Sequence, residues 1–154
     1  AIWLWEEIEY LKRYVAIQKF RFGEKFILYY EIEDGLMDFL VFRLMLQPLV
    51  ENSILHGIRN KEGRGYIKLQ IFKRRGRVFF RVVERGREGG RLNESMQEPD
   101  VHHIGLSNVN SRLILRFGEE ARIRIRSKKG MGCVMEFNLP EETGLPGLHE
   151  AKKE

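Results

Sequence analysis

Near the start of the chain, apolar residues recur at three- and four-residue intervals: Leu4, Ile8, Leu11, Val15 and Ile17, with Glu6, Glu7, Glu9, Lys12 and Arg13 between them. That period lays one apolar stripe along a helix and predicts an amphipathic α-helix from Trp3 to Phe20. Trp3 and Trp5, read as exposed, hint at something packed upstream. The period then changes to two. Phe26 to Glu33 reads as a strand, closed by the turn pair Asp34-Gly35. "YIKLQIF" and "RVFFRVVE" alternate as two strands joined across Lys73 to Arg77, a hairpin with Gly76 at its turn. "ARIRIRS" and "CVMEFNLP" alternate again, around Lys129 to Gly132. Helical spacing returns twice, from Phe39 to Ile58 and from Gly105 to Phe117. Between Arg85 and His103 there is no period; Gly86, Gly89, Gly90 and Pro99 make it a long loop of the kind that is usually functional or disordered. From Glu141 the sequence reads as a disordered polar tail.

In "RIRIR" the isoleucines must face inward and the arginines outward, so the sheet has one wet face and helices cover the other. The predicted fold class is therefore α/β: a two-layer sandwich with a mixed, mostly antiparallel sheet and its helices on one face. At 154 residues the chain suits one domain. Residues 1–20 form the leading helix, 21–140 the body, and 141–154 the tail.

Composition changes this picture little. Hydrophobic residues at 43% and charged residues at 32% are those of a globular protein, and no apolar run approaches the ~20 residues that cross a bilayer. A lone cysteine, Cys133, excludes an internal disulfide framework and fits a reducing compartment; the lack of a charged and apolar leader argues against secretion. A net charge of +5 raises nucleic acid or an anionic ligand as partners. The basic residues are spread over Arg74-Arg75-Arg77, Arg122-Arg124-Arg126 and Lys128-Lys129, however, without aromatic interleaving. Solvated strand edges are the better account, and a nucleic-acid binder ranks last.

Chemistry concentrates in four places. In "LQPLVENSILHGI", Leu46, Val50 and Ile54 share one helix face while Asn52, His56 and Arg59 share roughly the opposite one, which is either solvated or a pocket wall. Glu84 has the parity of Val78, Phe80 and Val82, so the pleat carries a carboxylate to the core side at the strand's end. Such a group needs a partner, Arg85 or Arg87 at the mouth of the loop, or a ligand. Gly105 opens a helix whose free N–H groups and positive dipole end suit phosphate oxygens, although glycine also starts helices for backbone freedom alone. "KKGMGC" reads mostly as turn grammar.

In this order along the chain, these features resemble the ATP-binding domain of histidine kinases, the Bergerat fold shared with gyrase-type ATPases, and most closely LytS-type sensor kinases. "EEIEYLKRYVAIQKFRFGEKF" looks like the linker helix and first strand of that group, "LQPLVENSILHGI" like its asparagine box, and "IGLSNVNSRLILRFGEEARIRIRSKKGMGCVMEFNLP" like its last glycine boxes and closing strands. The resemblance runs from Glu6 to Pro140.

It implies ATP and Mg²⁺ as cofactors, with Asn52 as the Mg²⁺ ligand; magnesium favours hard oxygens and keeps waters, which suits one amide oxygen plus phosphates. By the same matching His56 and Arg59 lie near the phosphates, and Glu84 replaces the aspartate that bonds the adenine amino group. Gly86, Leu106, Asn108 and Cys133 join the nucleotide site, and Gly105 begins the helix under the phosphates. Glu51, beside Asn52, either polarises the phosphoryl acceptor or serves a structural role. Gyrase-type relatives carry a water-activating glutamate at the position of Pro48, which has no ionisable group, so phosphoryl transfer to a histidine is favoured over hydrolysis. That histidine would stand upstream of the leading helix, in the same dimer. The resemblance further implies a homodimeric, membrane-attached sensor whose cytoplasmic domain this is, passing phosphate to a response regulator.

The sequence departs from the pattern in Glu84 for aspartate, His103 for glycine, Cys133 for threonine and Phe42 for proline. One extra methylene carries the Glu84 carboxylate roughly 1.5 Å further, and a thiol is a weak donor where a hydroxyl is usual. A degenerate signalling module that keeps the fold without using ATP is the alternative reading.

Overall fold

Helix α1 (Leu4–Phe22) follows the apolar stripe of the sequence: Leu4, Ile8, Leu11 and Val15 are buried. The Glu6 carboxylate accepts the backbone N–H of Trp3 at 3.1 Å, closing the first turn. The helix ends at Gly23, whose positive φ of 60° takes the chain out of helical geometry. These coordinates are a computed structural model that describes residues 1–59, 65–85, 104–128 and 132–146.

Ahead of α1, strand β1 (Ile2–Trp3) pairs antiparallel with β3 (Leu40–Val41), so Trp3 is half-buried opposite Leu40 while Trp5 stays exposed. The main sheet contains β2 (Phe26–Ile32), β4 (Gly65–Arg74), β5 (Arg77–Arg85), β6 (Arg124–Lys128) and β7 (Gly132–Pro140). Its order is β2-β4-β5-β7-β6, with β2 parallel to β4 and every other pair antiparallel. Arg75 and Gly76, both at positive φ, make the tight β4–β5 turn, the geometry that matches strand twist in a two-residue loop.

Alternation decides the two faces. Ile67, Leu69 and Ile71 of β4, Val78, Phe80 and Val82 of β5, and Met135, Phe137 and Leu139 of β7 point into the core, with Phe80 and Phe137 stacked at 4.8 Å. Helices α2 (Gln47–Arg59) and α3 (Ile104–Phe117) lie against that face, and the buried residues of α1 belong to the same core. On the other face Arg81 pairs with Glu136 at 2.6 Å, Lys68 with Glu31, and Arg77 with Asn138 and Glu120. The two-layer mixed sandwich of the sequence reading is therefore observed, with Ile123 and Ile125 inward and Arg126 exposed as "RIRIR" requires.

Two expectations need correction. A helix running from Phe39 does not form: residues 39–46 hold β3 and a turn, and α2 starts at Gln47. Pro48 is the reason. In mid-helix it lacks an N–H and its ring collides with the carbonyl four residues back, whereas in a first turn both problems vanish. The turn is held from outside, because the buried Glu7 carboxylate accepts the N–H groups of Leu44 at 3.0 Å and Leu46 at 3.3 Å. In return, the N–H groups of Leu4 and Trp5 donate to the carbonyls of Phe39 and Met37. The second correction concerns residues 141–146, expected to begin a disordered tail. Leu145 is buried, the Glu141 N–H donates to the Gly76 carbonyl, and Arg116 donates to the Gly144 carbonyl.

Candidate functional site

Residues four apart on α2 are separated by little more than one turn, about 6 Å along the axis, while alternate residues on a strand are about 6.8 Å apart. A helix lying along a strand therefore sets successive i, i+4 side chains over successive inward-facing strand positions. Asn52 and His56 do this. The Asn52 side-chain amide contacts the Met135 sulfur at 3.6 Å, and one turn on, His56 Nδ1 lies 2.9 Å from Glu84 Oε2. Met135 is paired with Val82, and the next inward pair along the same strands is Glu84 with Cys133. The polar stripe of "LQPLVENSILHGI" thus faces the sheet end, and Leu46, Val50 and Ile54 fill the core behind it.

Glu84 is buried, at 6% exposure, as strand parity foretold. Its hydrogen-bond partner among the described residues is His56, not Arg85; Arg87 lies outside them. His56, which the resemblance places near the phosphates, lies against the acidic strand end. Both side chains are largely removed from water, at 23% and 8% exposure, which strengthens the bond relative to a surface pair.

Cys133 sits beside Glu84 in the cross-strand register. Burial first, and the neighbouring Glu84 carboxylate second, push its thiol from 9.0 up to about 12. At neutral pH it is a thiol, with on the order of a thousandfold less thiolate than a free cysteine. Iodoacetamide is therefore expected to alkylate the folded chain only slowly at pH 8 and rapidly in denaturant, as read by intact mass; fast labelling of the folded chain would contradict this environment. The linkage has a definite sign. The unfolded thiol ionises from about pH 9 and the folded one only towards 12, so this residue's contribution to stability is intact below pH 9 and lost above it.

Other candidates lie where the helices put them. Glu51 is half-buried and close enough to Tyr14 of α1 to reinforce burial in raising that phenol to about 12. Gly105, in the first turn of α3, is half-buried, Asn108 is exposed, and Leu106 is fully buried in the core, which leaves only its backbone to face a ligand. The side chain of Arg59, together with Gly86 and His103, lies outside the described residues.

Two residues of the site were not read from the sequence. Met135 was visible only as an inward strand position, and its contact with Asn52 depends on how α2 lies. In "KKGMGC" Gly132 reads as turn grammar, yet it has φ +83° and packs so closely on β5 that a Cβ there would overlap the Glu84 carbonyl. The signal was its position one residue before Cys133, which pairs with Glu84.

Among the described residues no group of three His, Cys, Asp or Glu side chains is gathered to hold a metal, and no helix is long and apolar enough to cross a membrane. What the arrangement offers is one amide, an acidic strand end with a histidine donor, an apolar floor and a helix N-terminus. That donor set fits Mg²⁺ carried in by phosphates, since magnesium keeps most of its shell as water and phosphate oxygen. It does not fit a metal held by protein alone.

No protein-family model matches the chain. It is 31% identical over 140 residues to an uncharacterized sensor-like histidine kinase of Staphylococcus epidermidis, covering 88% of this chain and 27% of that protein. It is 29% identical over 144 residues to the sensor protein kinase HptS of Staphylococcus aureus, covering 90% of this chain and 28% of that one. The chain therefore spans about a quarter of the length of these relatives. Among solved structures it superposes on the catalytic domain of histidine kinase ThkA with a TM-score of 0.63 at 17% identity, covering 90% of this chain and 92% of that one.

Proposed function

From a chain related to sensor histidine kinases along nearly nine-tenths of its length, and folded as their catalytic domains are, we propose an ATP-binding catalytic module that transfers the γ-phosphoryl group to a histidine outside this segment. The observation that carries the reading is the alignment of Asn52 and His56 over Met135 and Glu84, which gathers the amide, the acid and the strand end on one side of the sheet. The kinship makes the ATP-binding kinase domain the expected use of this fold. No observation on the described residues favours a degenerate module.

Each residue then has a role. The Asn52 amide nitrogen rests on a weakly accepting thioether, which leaves the carbonyl end for a hard cation held by the phosphates. Glu84 accepts from the exocyclic amino group of the base, over a floor that includes Ile67 and Met135. The first turn of α3 at Gly105 offers phosphate its helix-terminal N–H groups and a positive dipole end. Mg²⁺ supplies neutralisation of the phosphate oxygens when bound. One turn before Asn52 stands Pro48, which has no proton to take or give, so no side chain at that position activates water. Glu51, beside Asn52, polarises an incoming imidazole in this reading or serves a structural role beside Tyr14. The whole protein would be a dimeric, membrane-attached sensor with this module in the cytoplasm, its phosphate passing to a response regulator.

A thermal-shift titration tests this. A non-hydrolysable ATP analogue at ~100 times its Kd should add about 2.7 kcal/mol, several degrees in Tm for a domain of this size, with Mg²⁺ and much less without it. Asn52→Ala should remove most of the Mg²⁺-dependent part. No shift at millimolar analogue would refute the proposal.

A further inference from the structure

We infer that His56 sets the base selectivity of this site, by competing for one of the two Glu84 carboxylate oxygens that a two-donor base edge would use together. The inference rests on the nucleotide reading above and goes beyond it, because the resemblance places this histidine near the phosphates and gives it no part in choosing the base.

Purine edges differ in how many donors they present. Adenine turns one exocyclic amino group towards an acceptor, beside the unprotonated N1; guanine turns N1–H and its 2-amino group outward side by side. A carboxylate with both oxygens open takes such a two-donor edge in a bidentate pair, as it takes a guanidinium fork. A bare glutamate at the end of β5 would therefore suit guanine at least as well as adenine. Here it is not bare. His56 Nδ1, carried on α2, lies 2.9 Å from Oε2, so one oxygen of the carboxylate already has a partner.

The pair is also hard to displace. Glu84 is almost wholly buried and His56 mostly so. A base that pushed the imidazole off Oε2 would have to replace a hydrogen bond to a charged group in a dry setting, the kind whose loss is costly. Cys133, the cross-strand neighbour, brings a buried thiol that is a weak donor and cannot do the same work. Arg85 has the opposite strand parity and is exposed. Of the described side chains, His56 is thus the one that decides how many carboxylate oxygens face the base. The remaining oxygen matches one donor, which is what adenine presents.

Binding measurements with ATP, GTP and ITP, all with Mg²⁺, separate the possibilities, because ITP is GTP without the 2-amino group. The wild-type chain should bind ATP at least tenfold more tightly than GTP, and GTP no more tightly than ITP. In His56→Leu, which leaves both oxygens open, the ATP:GTP preference should fall tenfold or more and GTP should overtake ITP. His56→Gln, which keeps an N–H in reach of Glu84, should restore the wild-type order. A merely structural histidine would lower all three affinities together, and an unmoved ATP:GTP ratio in His56→Leu would overturn the inference while leaving the nucleotide site standing. GTP tighter than ITP in the wild-type chain would overturn it without any variant. Failure of the wild-type chain to bind any of the three would refute the nucleotide reading, and this inference with it.

Discussion

Glu7→Ala is expected to destabilise the chain by about 2–4 kcal/mol in urea unfolding, the cost of leaving backbone donors without their acceptor. The carboxylate of this α1 residue is 1% exposed and accepts the N–H groups of Leu44 and Leu46, in the turn that delivers the chain into α2. Without it, the buried Leu46 N–H and the partly buried Leu44 N–H lose their acceptor. Leu44 would lose the bond that sustains its left-handed backbone, φ 61°, a conformation costing a non-glycine residue roughly 1–2 kcal/mol. The same turn is gripped from α3, where Arg112 donates to the Arg43 carbonyl at 3.1 Å and Phe42 packs on Phe117 at 5.5 Å. Loss of the α1 grip should therefore loosen the start of α2, and nucleotide affinity should fall along with stability.

The pH dependence of this effect has a fixed direction. Burial raises the Glu7 pKa above its ordinary 4.5, against the lowering effect of the backbone N–H groups and of Arg112. The folded state thus holds this proton more tightly than the unfolded chain. The Glu7 contribution is at its most favourable below about pH 4.5 and diminishes as pH rises through the folded value. Glu7→Gln, which is never charged but cannot accept at both ends, should be less damaging than alanine. Its deficit against wild type should narrow between pH 4 and pH 7; a deficit that widens would contradict the assignment.

Gly132→Ala is expected to cost about 2–5 kcal/mol, combining the strain of a positive φ with the expense of forcing extra atoms into a closed contact. The added methyl would overlap the carbonyl of Glu84, so β5 and β7 must part at the end that carries the acid. Stability and nucleotide affinity should fall together. Gly76→Ala is the control. It has a similar φ of 74° but open space around it, so it should lose only the strain and leave nucleotide affinity unchanged. Equal effects of the two substitutions would show that the close approach at Gly132 has no bearing on the site.

Much of this arrangement was legible beforehand. The seven-residue strand from Phe26, the Gly76 hairpin, the α3 helix and the inward parity of Glu84 all followed from periodicity, because a period of two or 3.6 fixes which side chains share a face whatever lies opposite. The asparagine of "LQPLVENSILHGI" stood out for the same reason, being polar beside an apolar stripe. The start of α2 did not follow. Its apolar spacing continues smoothly through Leu40, Phe42, Met45 and Leu46, and Pro48, the residue that forbids a helix across them, was weighed for its missing acid rather than for its missing N–H.

What the sequence determined by itself was local: the elements, their inward faces, and the presence at particular strand and helix positions of an amide, an imidazole, an acid and a thiol. Only the tertiary structure decided that His56 belongs to Glu84, that Asn52 rests on Met135, that Glu7 secures a turn 37 residues away, and that Gly132 must be bare. The division has a physical cause. Periodicity reports burial, which each residue experiences against an average interior, whereas a hydrogen bond or a steric exclusion depends on the relative placement of two distant segments, and that placement is set by the packing of the whole core.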